Sequence, residues 1–215
     1  MRPLALAMAL GFGCSFAGLA WSEDQAGDRK GGAVELSPVV VTATRVEEKS
    51  FDIPASIDSV DRSVIQDKKP QVLVSEDLQR VPGTVVQNRG TFSQEEQIII
   101  RGFGARSQFG TRGVKIYADG IPATTPDGQS GSALFDLSSA ARIEVLRGAF
   151  SALYGNHSGG VVQIFTQDGP PQPTLSGRVV FGSYDTLVTG LQFGGTSGRA
   201  NYIGSASHFE TDGYR

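Results

Sequence analysis

The 215-residue chain sets 19 lysines and arginines against 22 aspartates and glutamates, a formal net charge of −3. That balance excludes the basic face on which a nucleic-acid binder depends. Its 28 glycines, nearly twice the ordinary share of about 7%, lack the three-residue period of collagen. Short β-branched runs from Ile98 onward, bounded by glycine, exclude an all-helical architecture.

In chain order, residues 1–20 read as a signal peptide. Met1-Arg2 is a short basic start, and the stretch 4–20 is apolar, with no charge before Glu23. Gly18 and Ala20 place small residues where a signal peptidase reads them. A membrane anchor would need ~20 apolar residues, more than this glycine-interrupted stretch supplies. Removing the segment takes away Cys14, the one cysteine, so the exported chain is expected to fold without disulfides. Residues 21–52 read as a flexible leader carrying one β-branched run, Pro38-Val39-Val40-Val41-Thr42-Ala43. Such a run either adds itself to another protein's sheet edge or forms an edge strand of the following domain; spacing alone does not choose.

From 53 to 169 the pattern is that of a compact α+β domain, a mixed sheet with short helices. Residues 56–60, 85–86, 97–101, 114–118, 142–147 and 161–166 read as strands, with Asp119-Gly120 as the turn after 114–118. Apolar spacing at Val72, Leu73, Leu78 and Val81 predicts a helix over 72–81 that stops at Pro82-Gly83. Residues 150–154 read as one helical turn capped by Gly155. After Pro173, residues 174–182, 186–194 and 200–211 read as three strands joined by short links, one of them 195–199. Strands of ~9–11 residues fit antiparallel membrane-barrel hairpins, and a soluble sandwich would carry the same signal.

Catalytic chemistry finds no motif. His157 and His208 are far apart and lack cysteine or Glu-x-x-His company. Gly102-Phe103-Gly104 opens like a dinucleotide fingerprint but misses its third glycine and its helix. No Gly-x-Ser-x-Gly elbow occurs. The expectation is a protein that is not an enzyme, with no catalytic residue, no metal site and no cofactor. Binding residues are expected in the glycine-rich stretches 102–113 and 121–131, beside strands. Between Arg89 and Lys115 five basic residues stand against two acidic ones, an excess that suits an anionic solute. Arg106 suits a carboxylate fork, Gln108 and Gln129 suit hydrogen bonds and Phe109 a stacking face, with Arg112 and Asp127 in the same two loops.

Two blocks say more. One is Gln97-Ile98-Ile99-Ile100-Arg101-Gly102-Phe103-Gly104 with Val114-Lys115-Ile116-Tyr117-Ala118-Asp119-Gly120-Ile121-Pro122. The other is Arg142-Ile143-Glu144-Val145-Leu146-Arg147-Gly148, then Ser151-Ala152-Leu153-Tyr154-Gly155 and Gly159-Gly160-Val161-Val162-Gln163-Ile164. Together they resemble the plug domain of TonB-dependent outer-membrane receptors, over about residues 37 to 215. Within that family the runs 101–107, 119–124, 126–129 and 151–156 are most similar to the YncD (PqqU) subgroup, which is linked to pyrroloquinoline quinone uptake. Most of the wider family carries ferric siderophores. The chain departs from the family at Ala149, where proline usually follows Arg147-Gly148, and from the subgroup at Thr125 and 129–132.

The resemblance implies energised uptake of a large, scarce solute, with a ferric siderophore the main expectation. The alternatives are pyrroloquinoline quinone, or an exported soluble plug-like binding module. It implies the outer membrane as location, or the periplasm if the chain ends at Arg215, with membrane lipid around the wall. Val39, Val40, Val41, Thr42 and Ala43 become the TonB box (38–43), which pairs with a TonB-type periplasmic energy-coupling protein. The iron-chelate or quinone ligand falls to Arg106, Gln108, Phe109, Arg112, Asp127 and Gln129. Arg101, Glu144 and Arg147 become plug–barrel contacts, with Arg101 and Arg147 turned to carboxylates of the barrel wall; the alternative is a local salt bridge with Glu144. Residues 174–215 would be the first three strands of an incomplete β-barrel. Three strands alone would leave unpaired edges in lipid, so a fragment is expected.

Overall fold

The computed structural model describes residues 40–41, 48–49, 52–67, 69–88, 92, 95–131, 135–148, 150–155 and 157–213. The expected signal peptide, most of the leader, and Val39, Thr42 and Ala43 lie outside these. In the leader, β1 (Val40–Val41) pairs antiparallel with β2 (Glu48–Lys49), Val40 opposite Lys49 and Val41 opposite Glu48. Among the described residues, Val40 and Val41 thus pair with the following charged segment and not with a strand of the next domain.

The mixed domain follows. Its elements are β3 (Ser56–Asp61), α1 (Arg62–Ile65), α2 (Ser75–Leu78), β4 (Thr84–Gln87), β5 (Gln97–Ile100), β6 (Val114–Ala118), β7 (Ile121–Pro122), β8 (Ala140–Arg147), α3 (Ser151–Tyr154) and β9 (Gly160–Thr166). Five strands form one sheet in the order β3-β8-β9-β6-β7, antiparallel except for the parallel β6–β9 pair. The central strands β8 and β9 are buried along most of their length, the mark of a sheet covered on both faces. On one face Ile143, Val145, Val162 and Ile164 meet Val60, Ile65, Leu78 and the β4–β5 pair through Val86, Ile98 and Ile100. On the other, Leu146 and Val161 meet Ile53 and Tyr154. At Gly160 (φ +143°) β9 passes so close to β8 that a Cβ would lie 2.2 Å from the Leu146 carbonyl oxygen, so the crossing admits only glycine.

The expected helix over 72–81 shrinks to Ser75–Leu78. Its first turn is taken by the Glu76 carboxylate, which accepts the N–H groups of Gln71, Val72 and Leu73 at 2.8–3.0 Å. Gln71 sits at φ +60°, outside any helix. Those N–H groups precede the helix and have no carbonyl of their own to bond, so the side chain caps the segment, and the turn at Gln71 sets where the helix can begin.

Three further strands, β10 (Thr174–Gly182), β11 (Thr186–Ser197) and β12 (Ala200–Glu210), form an antiparallel wall that does not close into a barrel among the described residues. The expected link at 195–199 reduces to Gly198-Arg199, because pairing continues to Ser197 opposite Ala200. Leu175, Val179 and Phe181 share one face with Leu191 and Phe193, and that face is exposed, Phe181 to 80%. The opposite face meets the mixed domain with polar groups. Arg178 donates to the Lys69 carbonyl (3.2 Å), Gln192 to the Ser138 carbonyl (3.1 Å) and Asn201 to the Gly169 carbonyl (3.1 Å). That face also carries Val188, which is buried, and Phe209, which packs on Phe92, so the outward face is apolar and exposed while the inward face is mixed. An exposed apolar outer face is that of a membrane wall rather than a soluble sandwich.

Two carboxylates are buried in the mixed domain. Glu96 accepts the Ser75 N–H at 3.1 Å, and Asp77 pairs with Lys69. Burial pushes both above the ordinary carboxylate range, against the pull of those partners. The folded state then holds the Glu96 proton more tightly than the unfolded state does. Its stabilising effect is therefore full below pH about 4.5, the unperturbed value, and is lost as pH rises through the raised one. The expected outcome is that the parent loses stability relative to Glu96→Gln as pH rises above about 4.5, measured by urea unfolding. The opposite trend would overturn the assignment.

Candidate ligand-binding site

The expected loops lie at the end of the sheet where β6 begins. After β5 the chain turns through Arg101 (φ +51°) and Gly102 (φ +85°). It then passes Gly104, where a Cβ would lie 2.7 Å from the Ile98 carbonyl oxygen. Only glycine lets the loop leave the strand this tightly. The Ser107 hydroxyl is directed at the carbonyls of Phe109 (2.8 Å) and Gly110 (2.9 Å), curling the segment into a knuckle. On the return, Thr111 and Ser130 exchange N–H···O bonds at 3.2 and 2.8 Å, tying the first loop to the second. The second loop closes on itself through Thr125 N–H to the Gln129 carbonyl (2.8 Å).

Between the two loops is an open cavity of about 290 Å³, lined by Arg106, Ser107, Gln108, Phe109, Arg112 and Gln129. Asp127 stands beside it and pairs with Arg112 at 3.3 Å. Five of the six residues singled out in the two loops thus line one opening with Ser107, and Asp127 is tied to it through Arg112. The sequence signal for Ser107 was a hydroxyl inside a glycine-bounded loop, a residue type that bonds its own backbone. The Thr125 hydroxyl, then the Gln129 N–H, and more weakly Arg112 hold the Asp127 carboxyl below its ordinary value. Asp127 therefore stays charged and offsets Arg112. Arg106 makes no ion pair among the described residues, and Phe109 is 61% exposed. An unneutralised guanidinium beside an aromatic face and two amides is chemistry for a ligand that is anionic and has a flat group. Among the described residues no group of three His, Cys, Asp or Glu is placed to hold a metal ion.

The TonB-dependent Receptor Plug Domain family matches residues 49–162, more than half of the chain. The chain belongs to this family. Solved structures with the same fold include the pyoverdine outer membrane receptor FpvA from Pseudomonas aeruginosa PAO1 bound to pyoverdine. It has a TM-score of 0.66 and 21% identity over 80% of this chain and 24% of that one. The ferric yersiniabactin uptake receptor FyuA from Yersinia pestis has a TM-score of 0.54 and 24% identity, over 73% of this chain and 24% of that one. The siderophore receptor PiuA from Acinetobacter baumannii has a TM-score of 0.59 and 20% identity, over 76% and 22%. At these identities the likeness shows the fold, and the chain spans about a quarter of the length of those receptors.

The three charged residues assigned to plug–barrel contact have partners inside the plug. Arg147 pairs with Asp58 at 2.5 Å and donates to the Pro82 carbonyl at 2.9 Å. Arg101 donates to the Ser56 hydroxyl at 3.1 Å. Glu144, fully buried, pairs with Arg142 at 2.8 Å. The salt bridge between Arg147 and Glu144, held open as an alternative, does not form. Residues three apart on a strand point to opposite faces, whereas Arg142 and Glu144, two apart, share one.

The hydroxyl of Thr125 is the largest influence on Asp127, so Thr125→Val is expected to raise the Asp127 carboxyl back toward its ordinary value of 3.8. NMR titration of that carboxyl measures this; an unmoved midpoint would show that the plug-loop geometry is wrong.

Proposed function

We propose that the chain supplies the plug and the first wall strands of an outer-membrane receptor for energised uptake of a large anionic solute, a ferric siderophore. The observation that carries the reading is a cavity in which Arg106, which makes no ion pair among the described residues, lies with Phe109, Gln108 and Gln129. Support comes from the structural neighbours, whose names record pyoverdine and ferric yersiniabactin. In this reading residues 1–20 address the chain for export, 21–52 form the leader, 53–169 the plug and 174–215 the start of the wall. Val39 to Ala43 then recruit a TonB-type periplasmic protein by strand addition, for which β-branched residues are suited. Arg101, the exposed one of the three charged plug residues, is the one left to reach the barrel.

A second reading, uptake of pyrroloquinoline quinone, is favoured by the same pair of residues. A flat ring bearing carboxylates would stack on Phe109 and fork Arg106. The exported soluble module is disfavoured by the exposed apolar face of Leu175, Val179, Phe181, Leu191 and Phe193.

The test uses cells in which this receptor is the only route for the solute, offered in turn radioiron-loaded siderophores and the quinone. Arg106→Ala with Phe109→Ala should weaken binding at least ~10-fold, because a charged hydrogen bond alone contributes about 1.5–3 kcal/mol. Val40→Pro removes an amide from the box and should stop uptake while leaving surface binding intact. Unchanged affinity in the double variant would place the pocket elsewhere, and undiminished uptake in Val40→Pro would end the assignment of the box.

A further inference from the structure

One buried side chain lies directly beneath the candidate loop. Gln97, on β5, is 4% exposed, and its amide nitrogen lies 2.7 Å from the Gly104 carbonyl oxygen and 2.9 Å from that of Ser107. Both partners are acceptors, so the group facing them must be the nitrogen, with one N–H for each. Those two carbonyls bracket Ala105-Arg106. The Ser107 hydroxyl continues the chain of bonds to Phe109 and Gly110. Arg106, Gln108 and Phe109 themselves project outward, so the backbone beneath them decides where their side chains stand. The frame around the loop is held by other groups. Ile98 N–H donates to the Thr111 hydroxyl oxygen (3.0 Å), Thr111 donates to the Glu96 carbonyl (3.2 Å), and Thr111 and Ser130 bond each other.

We propose that Gln97 is a positioning residue, whose two hydrogen bonds set the shape of loop 104–110 and thereby the placing of Arg106 and Phe109 for ligand. The ligand part rests on the uptake reading above; the loop part does not. Loss of the amide takes the donor from the Ser107 carbonyl and leaves the Gly104 carbonyl only the Ser107 N–H at 3.1 Å, while the bonds at Ile98, Thr111 and Ser130 stay in place. The consequence is confined to the loop. A carboxylate in its place is worse than an apolar group, because it sets oxygen against oxygen at hydrogen-bond distance.

Hydrogen exchange of the whole chain tests this without a ligand. In Gln97→Met and Gln97→Glu the segment 104–110 should exchange at least ~10-fold faster, with β8 and β9 unchanged, since two neutral hydrogen bonds are lost. Gln97→Lys, which restores donors of similar reach, should recover much of the protection. A local reporter gives a second reading. With Trp21, the single tryptophan, replaced by Phe, Phe109→Trp should become more accessible to acrylamide when Gln97→Met is added. Unchanged exchange and quenching in the Met and Glu variants would overturn the proposal, as would loosening spread equally through β8 and β9. If the loop loosens while uptake of every offered siderophore and of the quinone is unchanged, Gln97 still shapes the loop, and it is the ligand-site reading that falls.

Discussion

Backbone polar groups enclosed by protein need partners, and a domain with short strands and long connections cannot satisfy them by strand pairing alone. The plug meets that constraint with side chains. Glu76 serves three consecutive N–H groups at 71–73. Asp119 accepts the N–H and the hydroxyl of Thr166, each at 2.8 Å, and joins the end of β6 to the end of β9. Asp136 accepts the Ser138 N–H at 3.1 Å and its hydroxyl at 2.7 Å. Gln97 and Ser107 do the same for the ligand loop. Polar side chains that read in the sequence as loop surface thus hold the backbone, in exposed positions such as Asp119 and Thr166 as well as in buried ones such as Gln97. This is how irregular backbone keeps one shape inside a domain, and the site depends on it.

The same device explains what could and could not be read from the chain. The sheet strands were legible because each is a β-branched run with a glycine or turn at its edge, as at 97–101, 114–118 and 161–166. The helix over 72–81 was legible only in its middle: apolar periodicity marks it, but not that its two ends turn through tighter i→i+3 bonds, Glu76 N–H to the Leu73 carbonyl and Val81 N–H to the Leu78 carbonyl. The link at 195–199 was misplaced for another reason. Gly195 looks like a turn residue but lies inside β11, where a Cβ on it would come within 2.7 Å of the Tyr202 hydroxyl. Glycine there marks close packing, and sequence does not distinguish the two uses. Loop composition singled out the residues around the cavity. Gln97 stayed hidden because it stands at the head of the run Gln97-Ile98-Ile99-Ile100 and looks like an ordinary strand start. The pairing of Arg147 with Asp58 needed the β3–β8 register, which sets Ser56 opposite Arg147 and so puts Asp58 two places along on the same face.

The wall and the plug are held together differently from the way the plug is held to itself. Inside the plug, Ile65, Leu78, Ile98, Ile100, Ile116, Ile143 and Ile164 are buried almost completely, and each fully buried aliphatic side chain contributes about 1.5–3 kcal/mol. The described hydrogen bonds from the wall run from side chains to plug carbonyls, at Lys69, Ser138 and Gly169, and such bonds contribute about 1 kcal/mol each. One ring contact, Phe92 against Phe209 at 4.5 Å, adds a tilted aromatic pair. The plug's stability therefore comes from its own two clusters, and the seam with the wall is polar and sparse. A continuous apolar interface would join plug and wall into a single core, and a shift would then cost the burial of many side chains. The hydrogen bonds across the seam are side chain to backbone, the Asn201 side chain both donating to the Gly169 carbonyl and accepting its N–H, and water could take the place of each such partner.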